Sequence, residues 1–289
     1  MAETAPLQFR AEQLGSAFPP LLVAAEHVAS AVAQGVHGRR RVGQGETFWQ
    51  FRPYAQGDAA ARVDWRASAK SDRLYIRETE WEAAQSVFLW RDGSASMDYS
   101  STPNLPTKRE RAEILVLALG SLLLRGGERV TLLGSGVPPS SGRAMLTRMV
   151  ESLQGSQTGL PAFELLPRFG QLVLFSDFLS PLEEIDALLA RFAARGLSGH
   201  MLQILDPAEE TLPFNGRVRF EGLEGESPVL VSRVESLRDA YTERLAQHRE
   251  GLAAIARAAH WSFATHRTDR PPQQALLALY NILGQPRGG

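Results

Sequence analysis

The stretch SVFLWRDGSAS, residues 86–96, decides how the whole chain is interpreted. It begins as a short apolar run, which is typical of a parallel strand that is buried on both faces of a sheet. It then enters a turn that places Asp92, Ser94 and Ser96 on alternate residues. Because these oxygen-bearing side chains follow a predicted buried strand directly, we expect them at its carboxyl end, where folds of this kind bind ligands.

From residue 86 onward, strand patterns and helix patterns alternate along the chain. We predict strands at 86–90, 129–133, 171–175, 200–205 and 261–265, helices at 108–125, 143–153, 181–195, 234–259 and 272–283, and a small hairpin at 218–220 and 229–231. This alternation predicts a doubly wound, mostly parallel α/β sheet with helices on both faces.

A second predicted strand also ends in polar residues. Ser176 and Asp177 follow the strand at 171–175. In a fold whose ligands bind beyond the carboxyl ends of the strands, this strand end is a candidate neighbour of the one at Asp92. Carboxylate and hydroxyl oxygens are the ligands that a small hard cation such as Mg²⁺ prefers, and Mg²⁺ usually keeps several waters. The two strand ends therefore predict an open cation site, in which an external carboxylate can replace a water.

The part of the chain before residue 86 has a different character. Residues 21–35 have the period of a helix. Aromatic and charged side chains interleave after it, and we predict strands at 46–54 and 73–81. We expect residues 1–85 to form a helix and an aromatic, Arg-rich strand segment packed on the main domain, residues 86–289. The strands of this segment are expected to be added to the central sheet.

Two sets of side chains in the N-terminal segment have alternative interpretations. Trp49, Trp65 and Trp81 are expected in the core and not on a ligand platform. A set of charged side chains is expected to form an ion-pair network that ties the strands to the sheet. The alternative is that these side chains form a partner-binding face. This charged set consists of Asp58, Asp64, Arg66, Arg73 and Arg77.

Composition excludes several classes of function. Lys and Arg number 31 and Asp and Glu number 32, so the basic excess that is typical of nucleic-acid-coating proteins is missing. The chain has no cysteine, which excludes disulfides and zinc–thiolate sites. No signal-peptide pattern is visible, and no apolar run reaches the ~18 residues of a membrane span. We therefore expect a soluble, cytoplasmic protein.

Two motifs resemble known families. DGSASM, after an apolar strand, resembles the first loop of the metal-ion-dependent adhesion site of von Willebrand factor A domains. The pattern GD-x(5)-DWR-x-SA-x(2)-DRLY-x-RE, residues 57–78, resembles the signature of the domain of unknown function 58 family, which places it just before a von Willebrand-type domain. The stretches RERAEILVLALGSLLLRGGERVTLLG and HRTDRPPQQALLALYNIL are similar to the same family.

The resemblance implies a ligand set for one divalent ion, Mg²⁺ or else Mn²⁺ or Ca²⁺. The first loop would contribute Asp92, Ser94 and Ser96, and Asp177 would bind the metal or a metal-bound water. The family's middle loop contributes a threonine. Thr158, in GSQTGL, is the best-placed candidate for it, and the alternatives are Thr102 and Thr107.

The resemblance also implies a non-enzymatic, metal-dependent protein-binding module. The partner would donate a carboxylate to the metal and would be a MoxR-type AAA+ ATPase or its client. Such ATPases are thought to act with family members in assembling or activating other proteins. The chain has no G-x-x-x-x-G-K-[ST] sequence, so it is not expected to be the ATPase itself.

Two other functions are weaker interpretations of the same residues. A Mg²⁺-dependent phosphatase or hydrolase could use Asp92 as its nucleophile. Against this, Ser94 occupies the place where aspartyl-phosphate phosphatases have a second Asp, and no lysine or general base is recognisable nearby. Nucleic-acid binding by residues 39–82 is disfavoured because nine Lys and Arg there are nearly balanced by seven Asp and Glu.

Overall fold

The computed structural model describes residues 20–35, 48–54, 63–70, 73–79, 85–153 and 159–284. The chain divides into two compact units, one of Met1–His37 with Gln85–Gly289 and one of Gly38–Ala84. Part of the segment 1–85 thus groups with the larger unit.

The elements follow the predicted alternation. In chain order they are α1 (Pro20–Gly35), β1 (Phe48–Pro53), α2 (Trp65–Ser68), β2 (Tyr75–Thr79), β3 (Ser86–Arg91), α3 (Lys108–Arg125), β4 (Arg129–Leu132), α4 (Ala144–Leu153), β5 (Gln171–Ser176), α5 (Leu182–Ala193), β6 (Ser198–Leu205), α6 (Pro207–Thr211), β7 (Val218–Phe220), β8 (Val229–Val231), α7 (Arg238–Ala258), β9 (Ser262–Arg267) and α8 (Pro272–Leu283). Short 3₁₀ turns lie at Ala95–Asp98 and Val234–Ser236. Across the described residues, no helix combines the length and apolar character that crossing a membrane requires.

The larger unit contains a five-stranded sheet in the order β4-β3-β5-β6-β9, and every neighbouring pair is parallel. The predicted parallel α/β sheet is therefore confirmed. The first strand of the sheet along the chain, β3, has the second, β4, on one side and the third, β5, on the other. The chain direction across the sheet reverses at β3, and ligands of open α/β sheets bind at such a switch point.

Helices cover both faces of this sheet because its strands are apolar on both sides. Val87 and Leu89 of β3 belong to a core cluster with α1, α3, α4 and α8. Phe88 and Trp90 of the same strand belong to a second cluster with α5 and α7. Burying each such side chain stabilises the fold by about 1.5–3 kcal/mol. This two-sided burial explains why β3 appears in the sequence as an unbroken apolar run.

The N-terminal cap of helix α3 fixes the position of Lys108, the first residue of the helix. The Thr107 hydroxyl accepts the backbone N–H of Glu110 at 3.1 Å, and the Glu110 carboxylate accepts the backbone N–H of Thr107 at 2.8 Å. This capping box satisfies two backbone donors and fixes the residue at which the helix begins. The helix is buried along most of its length, so its start is held in one place relative to the sheet.

The smaller unit contains an antiparallel pair, β1 with β2, in which Phe51 lies opposite Arg77. The expectation that these strands are added to the central sheet is wrong for the described residues, because β1 and β2 form a sheet of their own. An antiparallel pair satisfies one edge of each strand internally. In the larger unit, the outer edge of strand β4 also has a partner, because Val130 forms an antiparallel bridge with Ser140.

One expected core residue of the smaller unit is exposed. Trp65, the first residue of the four-residue helix α2, is 65% accessible, whereas Ser68 at the end of that helix is buried. The Ser68 hydroxyl donates to the Asp64 carbonyl at 2.7 Å and accepts the backbone N–H of Tyr75 at 2.8 Å. The side chains of Trp49, Asp58, Arg77 and Trp81 lie outside the described residues, so the proposed charged network stays a prediction.

Candidate metal centre

The carboxyl ends of β3 and β5 lie side by side. Arg91 is paired with Phe175 in the sheet register, and the backbone N–H of Asp92 donates to the Phe175 carbonyl at 2.8 Å. The predicted adjacency of the two polar strand ends is therefore confirmed. Both ends lie at the switch point of the sheet.

Asp92 is held by both of its carboxylate oxygens. Its Oδ1 accepts the backbone N–H of Ser94 at 2.8 Å, and its Oδ2 accepts the hydroxyl of Ser176 at 2.6 Å. The side chain is almost completely buried. Burial raises the pKa of the Asp92 carboxyl above its ordinary value, although the hydrogen bonds from Ser176 and Ser94 act in the opposite direction. The carboxylate is thus fixed in orientation by neutral donors from the two strand ends.

The two loop serines connect Asp92 to Asp177. The hydroxyl oxygens of Ser94 and Ser96 are 3.0 Å apart, and the Ser96 hydroxyl donates to Asp177 Oδ2 at 2.7 Å. Asp177 Oδ1 accepts the backbone N–H of Leu179 at 3.3 Å. Asp92, Ser94, Ser96 and Asp177 form one connected group, which we call the oxygen cluster.

The threonine candidates have different positions. Thr158 lies outside the described residues, so its place in the ligand set stays a prediction, while Gly159 lines the same cleft as the oxygen cluster. The Thr107 hydroxyl accepts a backbone N–H as the cap of α3. Thr102 is exposed, and its carbonyl accepts the hydroxyl of Ser100 at 2.7 Å.

Lys108 is the main residue that sequence reasoning missed. Its Nζ lies 2.8 Å from Asp177 Oδ2 and 2.5 Å from Glu209 Oε1, and its side chain is fully buried. The expectation that no lysine lies near the site is therefore wrong. A signal was present in the sequence, because a helix that follows a parallel strand begins at the carboxyl edge of the sheet, and Lys108 is the first residue of that helix.

The charge on Lys108 depends on its two partners. Burial alone would lower the pKa of the Lys108 ammonium, but the Asp177 and Glu209 carboxylates outweigh this effect and raise it above its ordinary value. For Glu209, burial raises the pKa and the ammonium opposes the change. Glu209 is oriented by a second bond, because its Oε2 accepts the backbone N–H of Asp206, the cap of α6, at 2.9 Å.

Two arginines support the loop from outside the cluster. Arg109 donates to the carbonyls of Gly93 and Ser94 at 3.1 and 3.0 Å and also pairs with Asp98. Arg91, directly before Asp92, donates to the main-chain oxygen of Asp92 at 3.3 Å and pairs with Glu113 at 3.1 Å. Both guanidinium groups thus donate to backbone carbonyls of the loop that carries the two serines.

The oxygen cluster fits a small hard cation in its donor chemistry. Two carboxylates and two hydroxyls are ligands that Mg²⁺ and Mn²⁺ accept. Among the described residues, no group of three or more His, Cys, Asp or Glu side chains could hold a metal ion, so any site here depends on the serines. Because the Lys108 ammonium already neutralises part of the charge on Asp177, we expect modest metal affinity.

The oxygen cluster lines part of a cleft of ≈ 880 Å³. Most of the remaining lining surface is apolar and comes from the β7–β8 hairpin, from α7 and from the segments next to them. The apolar residues include Phe214, Phe220, Val231, Leu237 and Ala240. A ligand group that reached the cluster would therefore extend along an apolar surface.

One family model and several uncharacterized relatives match this chain. A family model described as "Protein of unknown function DUF58" matches residues 50–251. Uncharacterized proteins of Mycobacterium bovis and Mycobacterium tuberculosis are 26% identical over 276 residues, which cover 89% of this chain and 86% of theirs.

Two solved structures are also similar. The crystal structure of the conserved hypothetical protein BatB from Bacteroides thetaiotaomicron has a TM-score of 0.43 at 14% identity and covers 69% of this chain and 98% of that one. An aerotolerance-related membrane protein from Bacteroides fragilis has a TM-score of 0.42 at 16% identity and covers 68% of this chain and 98% of that one.

Proposed function

The chain belongs to the DUF58 family of proteins of unknown function, and we propose that it is a non-enzymatic, metal-dependent protein-binding module. Its larger unit would be a von Willebrand factor A-like domain, and the oxygen cluster would be part of a metal-ion-dependent adhesion site. The ion would be Mg²⁺, or Mn²⁺ or Ca²⁺ in its place.

One observation carries this proposal. Asp92, Ser94 and Ser96 from the loop after β3 are hydrogen-bonded into one group with Asp177 from the loop after β5. All four supply hard oxygens, and they meet at the switch point of a parallel sheet, where ligands of such folds bind.

The small number of ligands explains how the module would capture a partner. A bound ion would supply a Lewis-acidic position for a carboxylate. Asp92 and Asp177 would hold the ion with the two serine hydroxyls, and the remaining positions would be open to water or to an external Glu or Asp. Lys108 and Glu209 would hold Asp177 in place, and the apolar walls of the cleft would contact the partner's neighbouring side chains.

We further propose that the partner is a MoxR-type AAA+ ATPase, or its client, in the cytoplasm. The support is the similarity of residues 57–78 to the family signature and the lack of a P-loop sequence in this chain. In this proposal the ATPase performs the mechanical work, and the present chain recognises a carboxylate-bearing surface.

Metal binding is tested by thermal unfolding of the wild type over a titration of Mg²⁺ and Mn²⁺, with EDTA as the reference. Metal at ~10 Kd stabilises the native state by about 1.4 kcal/mol, and at ~100 Kd by about 2.7 kcal/mol. For a chain of this size we expect Tm to rise by about 3–10 °C. Asp92→Asn should lose the response, since it removes a charged ligand while keeping the side-chain shape.

Asp98→Asn is the matched control for this experiment. Asp98 lies in the 3₁₀ turn of the same loop but is bonded to Arg109 and not to the oxygen cluster. We expect its Tm to rise with metal as in the wild type. A wild type that does not respond to either ion would contradict the metal-dependent module.

A phosphatase that uses Asp92 as its nucleophile is the second candidate, and the position of Lys108 favours it, because a buried cation near the site could neutralise a phosphoryl group. The hydrogen bonds to both oxygens of Asp92 and its burial count against it. Turnover in a broad phosphatase screen that disappears in Asp92→Asn would support this candidate over the binding module.

A further inference from the structure

Strand β9 forms one edge of the central sheet. It is paired with β6 on its inner side, and within the part of the chain that the structure describes no strand pairs with its outer side. An unpaired edge presents backbone N–H and C=O groups to which another extended chain can bond. The first four residues of β9, SFAT, include no charge and no proline, which are the residues that commonly protect such an edge.

A groove of ≈ 390 Å³ lies between β9 and helix α8, and we call it the edge groove. Three alanines line it, Ala264 of β9 and Ala275 and Ala278 of α8. Ala264 and Ala278 are exposed. Because these side chains are short, the backbone of an incoming chain can approach β9 closely. An added strand would direct every second side chain toward the face of the sheet that α8 covers.

Two arginines line the edge groove at the carboxyl end of β9, Arg267 and Arg270. Arg267 is paired with Glu210 at 3.0 Å and also with Asp269. Glu210 lines the groove too, but it accepts a second guanidinium, that of Arg249, at 2.7 Å. Arg270 is exposed, and its side chain makes no hydrogen bond or ion pair within the described ranges 85–153 and 159–284. This end of the groove is therefore complementary to a carboxylate.

A buried polar atom at the same end of β9 has no partner. His266 lines the edge groove and is 6% accessible, and its Nε2 forms no hydrogen bond with any residue that the structure describes. Burial lowers the pKa of His266 to about 4, so its ring is neutral at neutral pH. Proteins pair nearly all of their buried polar atoms, and a polar group that enters the groove can pair with this one.

The turn that carries Arg270 is held in place by helix α3. Arg111 of that helix donates to the carbonyls of Thr268 and Arg270 at 2.7 and 2.8 Å. The backbone N–H of Arg270 donates to the Arg267 carbonyl at 3.1 Å. The backbone that presents both arginines is therefore preorganised, and binding a carboxylate there requires no rearrangement of the turn.

We propose that the edge groove binds an extended segment of a protein partner that carries an acidic side chain. The segment adds to β9 as a further strand of the central sheet, and its acidic side chain pairs with Arg270. In this mode of recognition the backbone bonds supply affinity and the side-chain contacts supply sequence preference. The edge groove shares no lining residue with the cleft of the oxygen cluster, so this inference goes beyond the proposed function and requires no metal ion.

The experiment selects binders of the immobilised full chain, in EDTA, from a phage-displayed library of random linear peptides. We expect the enriched sequences to alternate apolar residues and to share one acidic position. The enriched peptide is then synthesised with a fluorescent label and an amidated C-terminus, and anisotropy gives its dissociation constant. Replacing the acidic residue of the peptide by its amide should weaken binding roughly tenfold, because the amide cannot form the ion pair.

Two pairs of variants locate the binding site. Ala278→Trp fills the edge groove, and Leu277→Trp is its matched control, because Leu277 is an exposed residue of α8 outside the lining. Arg270→Glu reverses a charge in the groove, and Arg257→Glu does so at an exposed position of α7. We expect Ala278→Trp and Arg270→Glu each to weaken binding of the peptide roughly tenfold, and the two controls to bind it as the wild type does.

Hydrogen–deuterium exchange tests the added strand itself. The peptide should slow exchange in residues 262–267 of the wild type, and binding without this protection overturns the inference. Failure to enrich any peptide overturns it as well, and so do groove variants that bind the peptide as tightly as their controls. Self-association of the wild type that Ala278→Trp abolishes would make a second copy of this chain the occupant in place of a partner. None of these outcomes bears on the metal titration of Asp92→Asn, which tests the proposed function.

Discussion

Two buried titratable side chains, one at the carboxyl end of the central sheet and one between strands β6 and β9, have pKa values that are shifted in opposite directions. At the carboxyl end, Lys108 keeps its charge because the Asp177 and Glu209 carboxylates more than offset burial, and its pKa is raised. On the β6–β9 side, burial lowers the pKa of His200 to about 4. The recorded side-chain partner of His200 is the hydroxyl of Ser262, at 2.7 Å.

Burial alone therefore does not determine the charge state of a side chain, because the groups that it contacts also shift its pKa. Lys108 makes the candidate centre a charged, preorganised region inside an apolar fold. His200, by contrast, loses its charge on burial and is hydrogen-bonded to Ser262 of the neighbouring parallel strand. Three predictions test this difference. Each one removes a side chain of the candidate centre or of the β6–β9 region, or changes its protonation.

The largest effect is expected from Lys108→Met. Removing the ammonium leaves the buried Asp177 carboxylate and the largely buried Glu209 carboxylate without their cation, and breaking a buried ion pair in this way costs about 3–5 kcal/mol. The free energy of unfolding in urea measures the loss. Arg125→Met, at the other end of α3, is the control, because the half-exposed pair of Arg125 with Glu26 should contribute about 1 kcal/mol or less. Equal losses from the two variants would contradict a special role for Lys108.

The strands and helices of the larger unit were predictable because their signals are local. The bounds of α3 and α8 match the predicted ranges 108–125 and 272–283, and the β7–β8 hairpin is found where it was predicted. Apolar period, helix caps and glycine stops lie within a few residues of each element. The pairing of β1 with β2 was not predictable in this way, because a strand pattern does not specify which edge it joins.

The same distinction applies to the candidate centre. The residues of the oxygen cluster were predictable in part, since the rule about the carboxyl ends of parallel strands places Asp92 and Asp177 at the same edge of the sheet, whereas the pairing of β3 with β5 comes from the structure. The ion-pair partners were not, because Lys108 is 69 residues from Asp177 and 101 residues from Glu209 along the chain. Glu209 also belongs to α6, a helix of five residues that is too short to show a period.

The second prediction concerns acid. Burial lowers the pKa of His200 to about 4, below its ordinary value of 6.5, so the unfolded chain binds a proton at this residue that the native state does not. Stability should therefore rise with pH between about 4 and 6.5, and His200 should contribute about 3 kcal/mol across that window.

His200→Gln tests this contribution in unfolding experiments at several pH values. The variant should flatten the pH dependence of the unfolding free energy, although His266, whose pKa burial also lowers to about 4, would retain its own share. His27→Gln, at an exposed position of α1, controls for the loss of an imidazole. If the pH dependence of the unfolding free energy is the same in His200→Gln as in the wild type, the His200 imidazole is protonated in the native protein over the same pH range as in the unfolded chain.

The third prediction is the smallest, and it asks whether the charged region acts as one unit. Ser96 and Lys108 both donate to Asp177 Oδ2, whereas Ser176 donates to Asp92. In double-mutant cycles with Lys108→Met, Ser96→Ala should therefore show a coupling of about 1 kcal/mol, because the two side chains share an acceptor. Ser176→Ala should be additive within about 0.5 kcal/mol. If Ser176→Ala couples to Lys108→Met as strongly as Ser96→Ala does, the two carboxylates respond as a single charged group, and the two strand ends cannot be treated as separate ligands.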